Sequence, residues 1–310
     1  MKTSDKFKEY IWLVNTIHRA GRITLSEIQE RWLATDMSEG LELARSTFNR
    51  HKEAIQDMFG IYIECDKKNG FCYYIENDEA LKEDSVQNWM LSTLTVNNAV
   101  SEGLSLQNRI LLQSVPFEGD YLEKVMQAMK NRVRIVIEYQ KYGNAEVREI
   151  ELEPYCLKLF KQRWYLLGNL FLDTVPYNES SQRFRVFSFD RILQMHLTEN
   201  RFNFDKSFSP RDYFRDSFGV FVASETKPER VVLRAFGKEQ YYIHDLPVHA
   251  SQRLLTKGEN YTDYELYLRP TMDFCGHILS RSNQLKVLSP PWLVDRVQQM
   301  IREALNLYEG

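Results

Sequence analysis

Apolar residues recur at helical spacing through the first quarter of the chain, and at strand-like spacing through much of the rest. Phe7, Ile11, Val14 and Ile17 share one face of an amphipathic helix that should run to about Arg19, where Ala20-Gly21-Arg22 ends it. Thr24-Leu25-Ser26-Glu27 has capping-box spacing, so the Thr24 hydroxyl and the Glu27 carboxylate can each satisfy an exposed backbone donor. The helix behind it turns Leu25, Ile28 and Trp32 inward. A polar stretch through Ser38, Glu39 and Gly40 leads to a third helix, about 45–58, with Phe48, Ile55 and Met58 or Phe59 inward. Its outward face carries Arg45, Ser46, Thr47, Asn49, Arg50 and Lys52. Two β-rich runs, Ile61–Cys65 and Phe71–Ile75, then flank Asp66-Lys67-Lys68-Asn69-Gly70, whose Asn-Gly is a hairpin-turn signal.

A polar helix face alone is ordinary solvated surface. Three helices followed by a hairpin tipped with Lys67 and Lys68 predict more: a winged helix-turn-helix over 1–78. The third helix would enter the major groove of double-stranded DNA and the lysines would touch phosphate. Thr47-Phe48-Asn49-Arg50 resembles the recognition-helix pattern of the DeoR-like bacterial regulators: Thr, apolar, any residue, Arg. The chain departs from it at Ala44, where a Ser cap is usual, and at His51, where an Asp is usual. Both departures bear on the helix start and the base contacts.

Residues 79–130 read as a helical connection. Asp84-Ser85 caps a helix with Val86, Trp89, Met90 and Leu94 apolar, continuing in broken form to about Glu102. Arg109–Gln113 should be extended ahead of Val115-Pro116. Tyr121, Leu122, Val125, Met126 and Met129 mark another amphipathic helix. The region shows no catalytic spacing and suits either a packed linker or a dimer-forming element.

Short strands dominate 131–205: Arg134–Tyr139, Glu146–Leu152, Cys156–Phe160 after a break at Pro154, Arg163–Leu170 after a turn at Lys161-Gln162, and Arg183–Phe187 leading into Asp190-Arg191-Ile192. Such a series predicts a small closed or nearly closed barrel. Trp164-Tyr165-Leu166, Pro154-Tyr155 and Arg185-x-Phe187-x-x-Asp190-Arg191-Ile192 resemble the WYL domain of bacterial transcription regulators. The resemblance implies an Sm-like (SH3-like) barrel that senses an effector, nucleic acid or nucleotide-like, at Tyr139, Arg148, Tyr165, Arg185 and Arg191, with no cofactor. Family members often carry a second arginine three positions after the first, where this chain has Ser188. One fewer guanidinium implies a less highly charged ligand, or weaker binding of the same one. The chemistry agrees, since guanidinium forks match phosphate and aromatic faces stack on bases. Over 128–195, eleven Lys or Arg against eight Asp or Glu leave +3 in a chain whose total is −3. Trp164 and Leu166 read as core, and Asp190 with Arg191 reads equally as an internal ion pair.

Residues 206–228 form a linker, and 229–310 show the order β-α-β-β-α-β with a trailing helix, which fits a ferredoxin-like fold. This part resembles the C-terminal extension that accompanies WYL domains, down to the strand–proline–helix ending of Val287–Leu293.

Composition narrows the alternatives. A pI near 6.1 means that only local clusters of basic residues can serve nucleic acid. No phosphate-binding glycine loop, zinc-protease helix or nucleophile elbow occurs, and the six histidines are dispersed. Four cysteines without paired spacing suggest free thiols in a reducing compartment. No apolar run approaches a membrane span, and polar Met1–Lys6 shows no signal-peptide pattern. The chain therefore reads as a multidomain α+β, homodimeric, ligand-responsive transcription regulator of the bacterial cytoplasm. Two other readings are an RNA-binding or assembly protein using the barrel, and a nucleic-acid-processing enzyme. The enzyme would need a carboxylate cluster or a nucleophile–base pair, and neither is apparent.

Overall fold

The computed structural model describes residues 3–81, 85–102, 119–170, 184–222 and 225–309. Its contacts divide the chain into two compact units, Met1–Gln113 and Ser114–Gly310. Asp84, the Arg109–Gln113 run and Arg183 lie outside the described residues.

The first unit contains α1 (Thr3–Ala20), α2 (Leu25–Leu33), α3 (Arg45–Phe59), the hairpin β1 (Ile63–Asp66) and β2 (Cys72–Ile75), and α4 (Val86–Glu102). The capping box forms: Thr24 N donates to Glu27 Oε2 at 2.8 Å and Glu27 N to Thr24 Oγ1 at 3.3 Å. Leu13, Val14, Ile17, Ile28, Phe48, Ile55 and Ile63 fill one core, and Ile23 pairs with Tyr73 at the hairpin. α3 starts without a side-chain cap at Ala44 and stops at Gly60, whose φ of 61° closes the helix in the left-handed region. α4 is continuous where the sequence suggests a break, and Ser85 Oγ caps it by accepting from Asn88 N at 3.0 Å.

The hairpin has a five-residue connection, as the flanking runs suggest, shifted by one position. Asp66 faces Cys72 in the register, leaving 67–71 as the loop. The Asp66 carboxylate organises it by accepting from the backbone N–H of Lys68 at 3.1 Å and of Asn69 at 3.2 Å.

The second unit opens with α5 (Gly119–Asn131), then β3 (Val133–Gln140), β4 (Val147–Phe160), β5 (Arg163–Leu170), β6 (Phe184–Ser188) and β7 (Ile192–Arg201). These strands form one antiparallel sheet in the order β6-β5-β4-β3-β7. Three expectations are corrected. The two strands expected on either side of Pro154 are one strand, because a register shift between Pro154 and Cys156 absorbs the proline. A long β7 follows Ile192 where the sequence reading stopped. The sheet is not a closed barrel: among the described residues β6 and β7 remain its two edges. Ile135, Ile137, Leu152, Leu166 and Phe187 pack its core face against Val125 and Ala128 of α5. Lys161 and Gln162 turn β4 into β5 with φ of 47° and 63°.

After a short helix, α6 (Pro210–Phe214), come β8 (Glu229–Phe236), α7 (Glu239–Asp245), β9 (Arg253–Lys257), β10 (Tyr261–Leu268), α8 (Met272–Ser280), β11 (Leu285–Ser289) and α9 (Pro291–Glu309). The strands form an antiparallel sheet in the order β11-β8-β10-β9. Val231, Leu233, Leu266, Phe274, Ile278 and Leu293 make its core. β9 begins five residues later than the expected strand at Val248, because the segment first turns, with Val248 N donating to Gln252 Oε1 at 2.9 Å. α9 buries Leu293 and Val297, but Ile301 and Leu305 of the same expected stripe are 50% and 53% exposed.

Candidate functional site

Two sets of side chains stand out, one in each unit. In the first unit, α3 is anchored by Phe48, which is fully buried and meets the Tyr73 ring edge-on at 4.7 Å, and by Ile55. That anchoring turns Arg45, Ser46, Asn49 and Arg50 out to solvent, with Thr47 and Lys52 half-buried beside them. Lys67 and Lys68 are exposed on the hairpin loop. Arg22 ion-pairs with Asp66 at the loop's base, and its guanidinium lies 4.9 Å from the centre of the Tyr74 ring. Hydrogen bonds from Asn69 and Arg22 hold the Asp66 carboxyl down at about 2. Arg22 was missed in the sequence; its one signal there is adjacency to Ile23, which joins the hairpin. His51 departs from the exposed face. It is buried, with Nε2 3.1 Å from Glu9 Oε2. Burial first, then the positive Arg50 and Lys6, push its pKa to about 4, so the ring is neutral at pH 7.

In the second unit, the chain reversal between β6 and β7 gathers a cluster around Asp190. Tyr142 donates its hydroxyl proton to Asp190 Oδ2 at 2.7 Å, and Arg163 Nη1 lies 3.3 Å from the same oxygen. The Ser188 hydroxyl donates to Asp190 Oδ1. Burial works to raise the Asp190 pKa, but the hydrogen bonds from Ser188 and Tyr142 and the charge of Arg163 outweigh it and hold the carboxyl below its ordinary value. Arg191 does not pair with Asp190 as the simpler sequence reading had it. Its guanidinium lies 4.0 Å from the centre of the Tyr142 ring, a cation–π contact, with Nε buried and unpartnered. Tyr139 is buried, accepts from Ser188 N at 3.4 Å, and has its phenol pushed up mainly by burial while Arg191 pulls the other way. Tyr165 faces Ser188 across the register; burial raises its pKa, with Arg163, Asp190 and Arg191 all acting on it electrostatically.

Of the expected effector residues, the structure thus brings Tyr139, Tyr165 and Arg191 together. Arg148 sits opposite Tyr139 in the register, with its guanidinium 3.1 Å from Glu146. Arg185 sits at the other end of β6, opposite Gly168. The sequence reading missed Tyr142, Arg163 and the structural role of Ser188. Only the fold places Tyr142, near the start of the β3–β4 loop, against Asp190. Among the described residues no group of three His, Cys, Asp or Glu side chains could hold a metal ion, and no helix is long and apolar enough to cross a membrane.

Residues 120–197 match the WYL domain and residues 227–305 match the WCX domain. No curated protein matches the chain. Among solved structures, proteasome accessory factor B/C (PafBC) of Arthrobacter aurescens is 17% identical, with a TM-score of 0.38; the alignment covers 99% of this chain and 47% of that one. The chain therefore spans about half the length of PafBC. A CRISPR Cas-related protein is 13% identical, with a TM-score of 0.40, over 84% of this chain and 72% of that one. At these TM-scores neither likeness bears on function.

Proposed function

We propose, from the premise that this chain is a WYL-domain protein with a WCX domain behind it, that it is a DNA-binding transcription regulator controlled by an effector. In this reading the first unit is a winged helix-turn-helix. α3 is its recognition helix, offering Arg45, Ser46, Thr47, Asn49, Arg50 and Lys52 to the major groove, and Lys67 and Lys68 sit on the wing. The observation that carries the reading is the two-sided character of α3: Phe48 and Ile55 lock one side into the core, while two arginines and three small polar side chains line the other. The sheet of the second unit is read as an open form of the Sm-like fold, and the WCX part as ferredoxin-like. Its effector, nucleic acid or nucleotide-like, would be held by Tyr139, Tyr165 and Arg191, with Arg148 and Arg185 on the approach. Two copies acting as a cytoplasmic homodimer would read two half-sites, and effector binding would change their spacing.

Fluorescence anisotropy with a duplex from the region upstream of the protein's own coding sequence tests this reading. Binding that survives an unrelated duplex and single-stranded RNA as competitors is expected. Preference for the RNA would move the reading to an RNA-binding protein.

A further inference from the structure

A cavity of about 550 Å³ opens at the far end of the same sheet, between Arg134 of β3, Glu153 and Tyr155 of β4, Asn169 of β5 and the segment after β7. Its size lies within the roughly 300–1,000 Å³ of small-molecule sites. It is separate from the Asp190 cluster. Asn169 pairs with Phe184, and Tyr165 with Ser188, four positions away along β5, or roughly 13 Å of strand.

One wall is aromatic. The Tyr155 ring meets Phe184 and Phe208 edge-on at 4.9 and 5.1 Å and lies tilted against Phe202 at 5.9 Å and Phe204 at 5.0 Å, so the protein itself already covers most of this wall. The opposite wall is polar. Asn169 Nδ2 donates to Glu153 Oε2 at 2.6 Å. A carboxylate accepts and does not donate, which fixes the amide's orientation and leaves Asn169 Oδ1 as the atom without a task. That oxygen is buried and has no hydrogen-bond partner. Native structures rarely leave a buried acceptor so, and an N–H from a bound molecule would satisfy it.

The charges do not favour an anion. Arg134 lies between two carboxylates, Glu151 at 3.6 Å and Glu153 at 3.7 Å. Of the lining residues, Arg134 and Arg201 balance Glu153 and Asp205, which gives a net charge of zero. A phosphate would have to displace a carboxylate from the inner guanidinium.

We infer that this cavity binds a small, uncharged molecule bearing an amino or amide N–H. The N–H is donated to Asn169 Oδ1. The occupant also touches Asn203 and Asp205, the start of the segment that leaves β7 for α6, so its presence is felt by the connection to the WCX domain.

Ligand-observed NMR on the full chain tests this, with adenine, nicotinamide and benzamide compared with purine, methyl nicotinate and methyl benzoate, which lack the exocyclic N–H. The expected result is that at least one of the first three binds, about tenfold more tightly than its analogue. Asn169→Leu should erase that preference. If none of the three binds, if each binds no better than its analogue, or if folded Asn169→Leu keeps the preference, the inference is overturned. The comparison on the native chain decides by itself should Asn169→Leu fail to fold.

Discussion

The outward face of α3 and the cluster around Asp190 both concentrate basic and polar side chains, and they hold them in opposite ways. On α3, the Arg45 and Arg50 side chains are exposed and meet no carboxylate among the described residues, and the same holds for the Lys67 and Lys68 side chains on the hairpin loop. Around Asp190 the groups hold one another: Arg163 on the carboxylate, Arg191 on the Tyr142 ring, and Ser188 and Tyr142 donating to the same aspartate. An open cationic face exchanges water for phosphate with no internal competitor, so its affinity should be high and salt-dependent. A closed cluster has to be opened. A ligand there gains only what exceeds the contacts that Asp190 already makes, which is how a sheet can tell one effector from another.

Breaking the open face should have the largest effect. Arg50→Ala is expected to weaken binding to the upstream duplex by about tenfold or more. The thermal midpoint should stay unchanged, since Arg50 is exposed. Next comes the closed cluster. Asp190→Asn removes the charge that restrains Arg163, so the sheet unit should melt a few degrees lower while taking up a short anionic oligonucleotide more tightly. An unchanged melt would show that the cluster does not restrain its arginines. A smaller effect is expected on the hairpin loop: Lys67→Ala and Lys68→Ala should each reduce the slope of log affinity against log salt by about one. The smallest concerns stability against pH. Burial, with Arg281 and Lys161, depresses His277 from 6.5 to about 4. As the pH falls through 6.5 the unfolded chain protonates this histidine, and the folded chain does so only near 4. Its contribution to stability is therefore full above that window and lost across it. Urea melts from pH 7 to pH 4 should show this loss, and His277→Leu should shallow it.

Much of the fold could be read from the chain because local chemistry and tertiary packing agree. The Thr24–Glu27 box, the Phe48 and Ile55 anchors of α3 and the alternation in β10 each point one way at both levels. The misses have a common cause. Pro154 signals a break by itself, but a bulge beside Cys156 lets β4 continue. Val248 signals a strand start, but its N–H donates to Gln252 Oε1 and the segment turns before β9 begins. The candidate sites divide the same way. The α3 face lies within one helix, so spacing alone displays it. The Asp190 cluster draws Tyr139 and Tyr142, Arg163 and Tyr165, and Ser188 and Arg191 from separate stretches, so only the strand register assembles it. Nothing in the sequence marks Asn169, because its unpartnered oxygen exists only in the folded chain.

The central claim is that α3 reads DNA and the sheet of the second unit does not. The most direct test is anisotropy of the upstream duplex, titrated across a salt series with the native chain, Arg50→Ala and Arg191→Ala. The account predicts that Arg50→Ala loses about tenfold or more while Arg191→Ala keeps native affinity in the absence of effector. Equal binding by the native chain and Arg50→Ala, or a loss confined to Arg191→Ala, would contradict it.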